Sequence, residues 1–358
     1  MGTTDLKGLP VQELEAFLAS IGEPRYRAKQ VFGWIYKHRA SSFAEMSNLP
    51  QALRERLSAV AGIGQVGVAA RQESGADGTT KFLIRLSDGK SVECVLIPPR
   101  RESIDAETRM TLCVSTQVGC PLDCKFCATG TMGFERNLSA GEIVDQILTV
   151  QRLSTKPITN IVFMGMGEPM LNYANVMSSI DIISSEIGMA ISPRRITVST
   201  AGYADRIRTM ADEGRKAKLA LSLHSLDDAV RTKLMPVTKK HPVAELLDAL
   251  EYYCRKTRKN VMLEYILFEA LNDGEADIRK IARASRRFPC RVNLIPFHSI
   301  AFTKPRGIAA SLKGASAESI ARFARKLRDE GIPVFVRHSA GEDIDAACGQ
   351  LAVKSAAA

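Results

Sequence analysis

A parallel α/β barrel is the fold that most of this 358-residue chain predicts. Three observations carry the expectation. Short apolar, β-branched runs recur from about residue 111, namely "MTLCVST", "NIVFMGM", "RITVST", "LALSLH", "VMLEYIL", "RVNLIPF" and "PVFVRH". Segments with helical periodicity lie between them, among them "AGEIVDQILTVQRL", "VAELLDALEYYCRK" and "SIARFARKLRDEG". Strand and helix therefore alternate, which calls for a parallel sheet with crossover helices. Six or seven such units suit an open or closed barrel better than a two-layer sandwich, and the length suffices for one large core plus a smaller module.

Residues 1–60 read as helical. "PVQELEAFLASIG" and "YRAKQVFGWIYKHR" space their apolar residues by three and four, Gly22 is a stop signal, and "LPQALRERL" predicts a third short helix. "KFLIRL" and "SVECVLI" then flank a turn built on Asp88-Gly89, a hairpin signature. "PPRRESIDAETR" is polar, opens with two prolines and reads as a linker. No internal repeat is present, and the small-residue tail "KSAAA" is the one low-complexity tract. The chain divides accordingly into a helical accessory domain (1–80), a hairpin with linker (81–105), the barrel (106–345) and a C-terminal tail (346–358).

Apolar content of 45% and charged content of 25% are ordinary for a soluble globular protein. The N-terminus lacks the pattern of a signal peptide, and Leu6 breaks the myristoylation pattern. No apolar run approaches the roughly 20 residues that span a bilayer. The chain therefore reads as cytoplasmic, with no membrane partner. Eight cysteines in that setting point to metal binding or thiol chemistry rather than a disulfide framework. Cys94, Cys254 and Cys290 are scattered and read as small buried hydrophobes. The net charge of +10 is concentrated: fourteen Lys or Arg against three acids fall between Arg279 and Arg337. Such a block is either the footprint of a phosphate backbone or a set of solvated helix faces.

Barrels of this kind gather chemistry at the C-terminal ends of their strands. Those ends here are "CVSTQVGC", "MGMGEP", "STAG", "SLHS" and "IPFHS". The first leads into "GCPLDCKFCATG", which sets Cys120, Cys124 and Cys127 within eight residues. A structural zinc wants four ligands in two separated pairs, and no second pair exists. A fully ligated iron–sulfur cluster also wants a fourth cysteine. Three thiols spaced CxxxCxxC suit a [4Fe–4S] cluster with one iron left open for a small molecule.

This spacing, with Phe126 directly before the last cysteine, resembles the radical S-adenosylmethionine (SAM) signature. By themselves the glycines of "MGMGEP" allow close backbone approach, and Glu168 is an acceptor for an ammonium; Ser199, Ser222 and His224 are polar groups at strand ends that serve equally as caps. Cys113 precedes the cluster motif by seven residues, and Cys348 lies in "GEDIDAACGQL". With "LCVSTQVGC", "MGMGEPMLN", "SLHS", "LMPV" and "NLIPF", these resemble the RlmN family from about Val92 to Leu351. That family comprises bacterial radical SAM enzymes that methylate C2 of adenine in 23S rRNA, and commonly in tRNA.

The resemblance implies a partial (β/α)6-type radical SAM barrel with a small N-terminal helical accessory domain and a β-hairpin. It implies that Cys120, Cys124 and Cys127 hold the cluster, and that Gly167, Glu168, Ser199, Ser222, Leu223 and His224 contact SAM. Cys348 would carry the methyl group, Cys113 would resolve the adduct as a disulfide, and Glu93 would accept the proton. Strand pattern alone leaves Glu93 facing solvent. Where the family has a SAM-contacting asparagine, this chain has His298. An external electron donor is implied as a partner. The acidic neighbours Glu342, Asp343 and Asp345 should raise the Cys348 pKa, and a mobile glycine-containing loop suits a group that visits two partners. A C8-adenine methyltransferase of the Cfr type shares the cysteines, although Pro169 and the "MLN" after it look like the C2 group. An iron–sulfur redox sensor that binds RNA would need neither Cys348 nor the SAM-contacting strand ends.

Overall fold

The computed structural model of the chain describes residues 4–99, 109–337 and 339–353. Most of the expected linker and the "KSAAA" tail lie outside the described residues. A two-residue parallel pair, β1 (Thr4–Asp5) with β2 (Ala61–Gly62), closes the N-terminal unit around α1 (Val11–Ser20), α2 (Arg27–Tyr36) and α3 (Gln51–Val60). Each helix turns its apolar stripe inward: Leu14 and Leu18 from α1, Val31, Phe32 and Ile35 from α2, Leu53 and Leu57 from α3.

A buried ion pair fastens this unit to α4 (Ala140–Leu153). Lys7 Nζ lies 2.7 Å from Asp145 Oδ1, with side chains 1% and 2% exposed. The Val66 amide donates to Asp145 Oδ2 at 2.6 Å, and Tyr36 donates its hydroxyl to the Lys7 carbonyl. Lys7→Met strands a carboxylate in the interior, so it is expected to lower the unfolding free energy by about 3–5 kcal/mol. The reading is a lower urea midpoint at unchanged slope.

Strands β3 (Gly67–Glu73), β4 (Thr80–Arg85) and β5 (Ser91–Ile97) form an antiparallel meander, and β5 pairs antiparallel with β6 (Thr111–Cys113). The β4–β5 hairpin stands where the Asp88-Gly89 turn predicts it. β3 had no sequence signal, because all seven of its residues are exposed and none alternates inward. A short hairpin, β7 (Gln117–Gly119) with β8 (Phe134–Asn137), follows β6 and frames the cysteine loop. α4 then starts at a capping box: the Ser139 hydroxyl accepts from the Glu142 amide, and the Glu142 carboxylate accepts from the Ser139 amide.

The rest of the sheet is built one strand at a time. β9 (Asn160–Phe163) lies parallel to β6. β10 (Ile196–Thr200), β11 (Lys218–Ser222), β12 (Val261–Leu267), β13 (Cys290–Pro296) and β14 (Val334–Val336) follow, each parallel to the strand before it. Crossovers run through α4, α5 (Tyr173–Ser184), α6 (Ala204–Asp212), α7 (Asp228–Leu234) with α8 (Val243–Thr257), α9 (Glu275–Ser285), and α10 (Ile308–Ser311) with α11 (Ala317–Asp329). Six strand–helix units and a seventh strand thus give the partial barrel expected. The barrel is open, with β14 and β3 as the edges of one ten-stranded sheet. Among the described residues no helix is long and apolar enough to cross a membrane.

Candidate active site

Cys120, Cys124 and Cys127 stand on the loop between β7 and β8. The Cys120 amide donates to the Gly133 carbonyl at 2.7 Å, and the Cys127 amide to the Cys124 carbonyl at 3.1 Å. Gly119 (φ +73°) has to be glycine, because a Cβ there would stand 1.9 Å from the Gly133 oxygen. Burial pushes the Cys120 thiol up to about 12 and Cys124 well above its ordinary value, and the charges of neighbouring thiolates add to both. The Arg231 guanidinium pulls Cys124 back down. Cys120 and Cys124 therefore favour the protonated form until a cation compensates them.

Polar side chains stitch the strand ends together around this loop. Gln117 accepts from the Glu168 amide at 2.8 Å. Buried Glu168 accepts from the Met170 amide at 2.9 Å and the Ala201 amide at 2.7 Å. Burial pushes its carboxyl up to about 7 against those bonds, so a bound ammonium would hold it ionised. Arg231 is wholly buried, and donates to the carbonyls of Ala201, Ser222 and Leu223 and to the Thr238 hydroxyl. One guanidinium therefore ties the ends of β10 and β11. Ser199 is buried on β10, Ser222 is half-buried at the end of β11, and Leu223 is buried. His224 takes the left-handed backbone (φ 52°) and sets its ring edge-on to Phe126 at 4.7 Å. Its Nδ1 accepts from the Ile266 amide at 3.0 Å, and burial holds the ring neutral with a pKa of about 3.

The other wall is the β4–β5–β6 face. Val95 pairs with Lys81 on one side and Cys113 on the other, while Glu93 pairs with Leu83. Side chains alternate along strands, so Lys81, Glu93 and Cys113 share one face. Glu93 does not face solvent as its strand pattern alone implies; it is 5% exposed, because the C-terminal segment covers it. Its Oε2 accepts from the Ala352 amide at 3.0 Å, and its Oε1 lies 3.3 Å from Lys81 Nζ.

That segment is held in place, not loose. The Gly349 carbonyl accepts from the Ala128 amide and the Leu351 carbonyl from the Thr129 hydroxyl, both at 2.6 Å, so the stretch just after Cys348 hangs on the cysteine loop. Gly341 donates to Asp77 at 3.0 Å and Gly75 to Asp343 at 3.2 Å. Cys348 is open to solvent. Its thiol is raised by burial first, then by Glu264 and Cys127, with Arg337 drawing it down. The direction agrees with the sequence expectation, but the cause lies in the barrel and not in the acidic residues that precede Cys348. Burial pushes Cys113 up to about 12, with Cys348 adding to it, so these two distant thiols are within electrostatic reach. Cys94, Cys254 and Cys290 are buried, as expected. His298 has both nitrogens engaged, Nε2 with the Ser339 hydroxyl and Nδ1 at 3.4 Å from Glu342.

The radical SAM superfamily model matches residues 114–283. The model of the ribosomal RNA large subunit methyltransferase N-terminal domain matches residues 4–63. The dual-specificity RNA methyltransferase RlmN of Geobacter sulfurreducens is 43% identical over 349 residues, covering 97% of this chain and 91% of the relative. The probable counterpart from Flavobacterium psychrophilum is 43% identical over 354 residues, 98% of both chains. This chain belongs to the RlmN family of radical SAM RNA methyltransferases. A crystal structure of a radical SAM methyltransferase from Sphaerobacter thermophilus superposes on this family member with a TM-score of 0.87 at 41% identity, over 97% of this chain and 99% of that one.

Family members of the radical SAM superfamily use a [4Fe–4S] cluster and SAM, and the residues fit both. Among the described residues no three His, Cys, Asp or Glu side chains are set as ligands of a single ion. A four-iron cube takes each thiolate on a different iron, so its donors stand further apart than those of one ion. Glu168, buried with its carboxyl pushed up to about 7, has the chemistry to pair with an ammonium such as that of SAM. Gly167 (φ +97°) lies against Gln117, where a Cβ would stand 2.5 Å from Gln117 Cβ. Gly167→Ala is expected to weaken SAM binding about tenfold to a hundredfold, the equivalent of about 1–3 kcal/mol of strain. Equilibrium dialysis with the cluster-loaded protein reads it. Sequence reasoning missed Lys81, Arg231, Glu264 and Arg337; Arg231 lies just before the "LMPV" motif, and the other three carry no local signal.

Proposed function

We propose that this chain methylates C2 of an adenine in 23S rRNA and in tRNA, through S-methylated Cys348 and a transient Cys113–Cys348 disulfide. One arrangement supports the reading: Cys113 and Cys348 lie within electrostatic reach of each other, Glu93 shares a sheet face with Cys113, and the residues just after Cys348 bond both Glu93 and the three-cysteine loop. C2 lies between two ring nitrogens and is electron-poor, so it does not attack a sulfonium methyl as an ordinary nucleophile. The cluster and SAM supply, with one electron from an external donor, the oxidising equivalent that removes a hydrogen from a methyl group. This chain's residues do the rest. The Cys348 sulfur takes a methyl group by displacement and presents it to C2. Glu93 takes the C2 proton. The Cys113 sulfur bonds the Cys348 sulfur as the carbon–sulfur bond breaks. Cys120, Cys124 and Cys127 are the cluster ligands, and Gly167, Glu168, Ser199, Ser222, Leu223 and His224 line the SAM site. His298 serves instead to hold the C-terminal segment, since Ser339 and Glu342 take both its nitrogens.

The substrates follow from the relatives' description as dual-specificity RNA methyltransferases, and from charge. Within the basic block Lys280, Arg286, Arg287 and Lys326 pair with acids on the helix faces. Exposed Lys304, Arg306 and Lys313, in the stretch after β13, have no acidic partner within ion-pair distance among the described residues. They suit phosphates next to an adenine unstacked from a loop. RNA substrates and free thiols are in keeping with a cytoplasmic setting. Methylation of an rRNA fragment and a set of tRNAs, followed by mass spectrometry of the modified adenosine, tests the reading. 2-Methyladenosine in both is expected. 8-Methyladenosine would replace it with the C8 chemistry, and SAM left whole under reductant would leave only a sensor.

A further inference from the structure

We propose that Lys81 is a positioning residue of the reaction, one that keeps Glu93 a carboxylate and with it grips the segment bearing Cys348. The inference rests on the reading of Glu93 as proton acceptor and Cys348 as methyl carrier. Lys81 Nζ lies 3.3 Å from Glu93 Oε1, and both side chains are about 7% exposed. The same ammonium donates to the Asp345 carbonyl at 3.3 Å. The other Glu93 oxygen accepts from the Ala352 amide at 3.0 Å. One ion pair thus holds the chain three residues before Cys348 and four residues after it.

Among the described residues, Lys81 stands in ion-pair contact with Glu93. Cys94 adjoins Glu93 on β5, Cys113 lies on the same sheet face from β6, and the C-terminal segment brings the Asp345 carbonyl to Lys81. Each of those groups is neutral or an anion when ionised. Lys81, from β4, brings a cation against Glu93, and Arg337 lies within electrostatic reach of Cys348. A general base has to be ionised before it takes a proton, and a neighbouring ammonium in a dry setting favours that form strongly. Once Glu93 has taken the C2 proton it is neutral, and its attraction for Lys81 falls away. The hold on residues 345 and 352 slackens at the step after which the RNA must leave. Proton removal and opening of the segment become one event.

Lys81→Met, Lys81→Gln and Lys81→Arg, with Glu93→Gln as control, test this in cluster-loaded enzyme. One readout is the pH profile of methyl transfer to an rRNA fragment. The second, which needs no turnover, is the rate at which iodoacetamide alkylates Cys348 in SAM-free, unmethylated protein. Loss of the positive charge is expected to move the acid limb up by about one to three pH units and to speed alkylation, with Lys81→Arg restoring both. Lys81→Gln keeps a donor for the Asp345 carbonyl, so it reads the charge should Lys81→Met fold poorly. An unmoved acid limb in a folded Lys81 variant overturns the proposal, whether or not alkylation changes. Full activity of Glu93→Gln would instead overturn the assignment of the base, so the two failures are told apart.

Discussion

Methyl transfer to RNA falls to background when Cys348 becomes alanine. The proposed carrier has no substitute nearby: the other thiols within electrostatic reach are Cys113, buried on β6, and Cys127, a proposed ligand of the cluster. Losses of several orders of magnitude are usual when a group that forms the covalent intermediate is removed. The variant is expected to fold and to load its cluster as before. The bonds that dock the segment on the cysteine loop use the backbone carbonyls of Gly349 and Leu351, and its bond to Glu93 uses the Ala352 amide, all of which alanine at 348 keeps. Iron content and visible absorption equal to wild type, with no methylated adenosine by mass spectrometry, are the expected pair of results. Retained transfer would remove Cys348 from the mechanism.

Cys113→Ala behaves differently, because the carrier still reaches the base. The carbon–carbon bond forms, the second sulfur is missing, and enzyme accumulates on RNA through Cys348. A shifted, nuclease-sensitive band in denaturing gels, at up to one RNA per enzyme, is the measurement. The position of Cys113 supports this assignment. It shares a face with Glu93 through the Val95 pairing, and its thiol feels the Cys348 charge although 235 residues of chain separate them. Turnover without an adduct would show that another reductant frees the base.

The cysteine loop was legible because its meaning is local: three thiols at fixed spacing, turned by glycines, after a strand. The interior barrel strands were legible for the same reason, since strands buried on both faces read as continuous apolar runs, and the edge strand β14 kept the apolar run "VFV" although Phe335 is exposed. β3 was not, because an edge strand exposed at every residue has no inward face to betray it. Glu93 was misjudged by pattern alone, since its burial comes from a segment some 250 residues away that nothing in "SVECVLI" announces. Lys81 is a sharper case. Its importance depends on a register across three strands and on a carbonyl at residue 345, and neither is written within reach of "KFLIRL". Arg231 is a surface-type residue by composition, and its complete burial follows from strand-end carbonyls that need a shared donor.

The docking of Gly349 and Leu351 onto the cysteine loop bears on how the protein is made. Ribosomes deliver that stretch more than 200 residues after Cys127, so through most of synthesis Ala128 and Thr129 lack the partners they have in the finished fold. If the three cysteines hold the cluster, as proposed, iron and sulfide would have an uncovered port while the chain grows, and the closing segment would arrive afterwards like a stopper. Maturation in that order needs no later reopening of the fold.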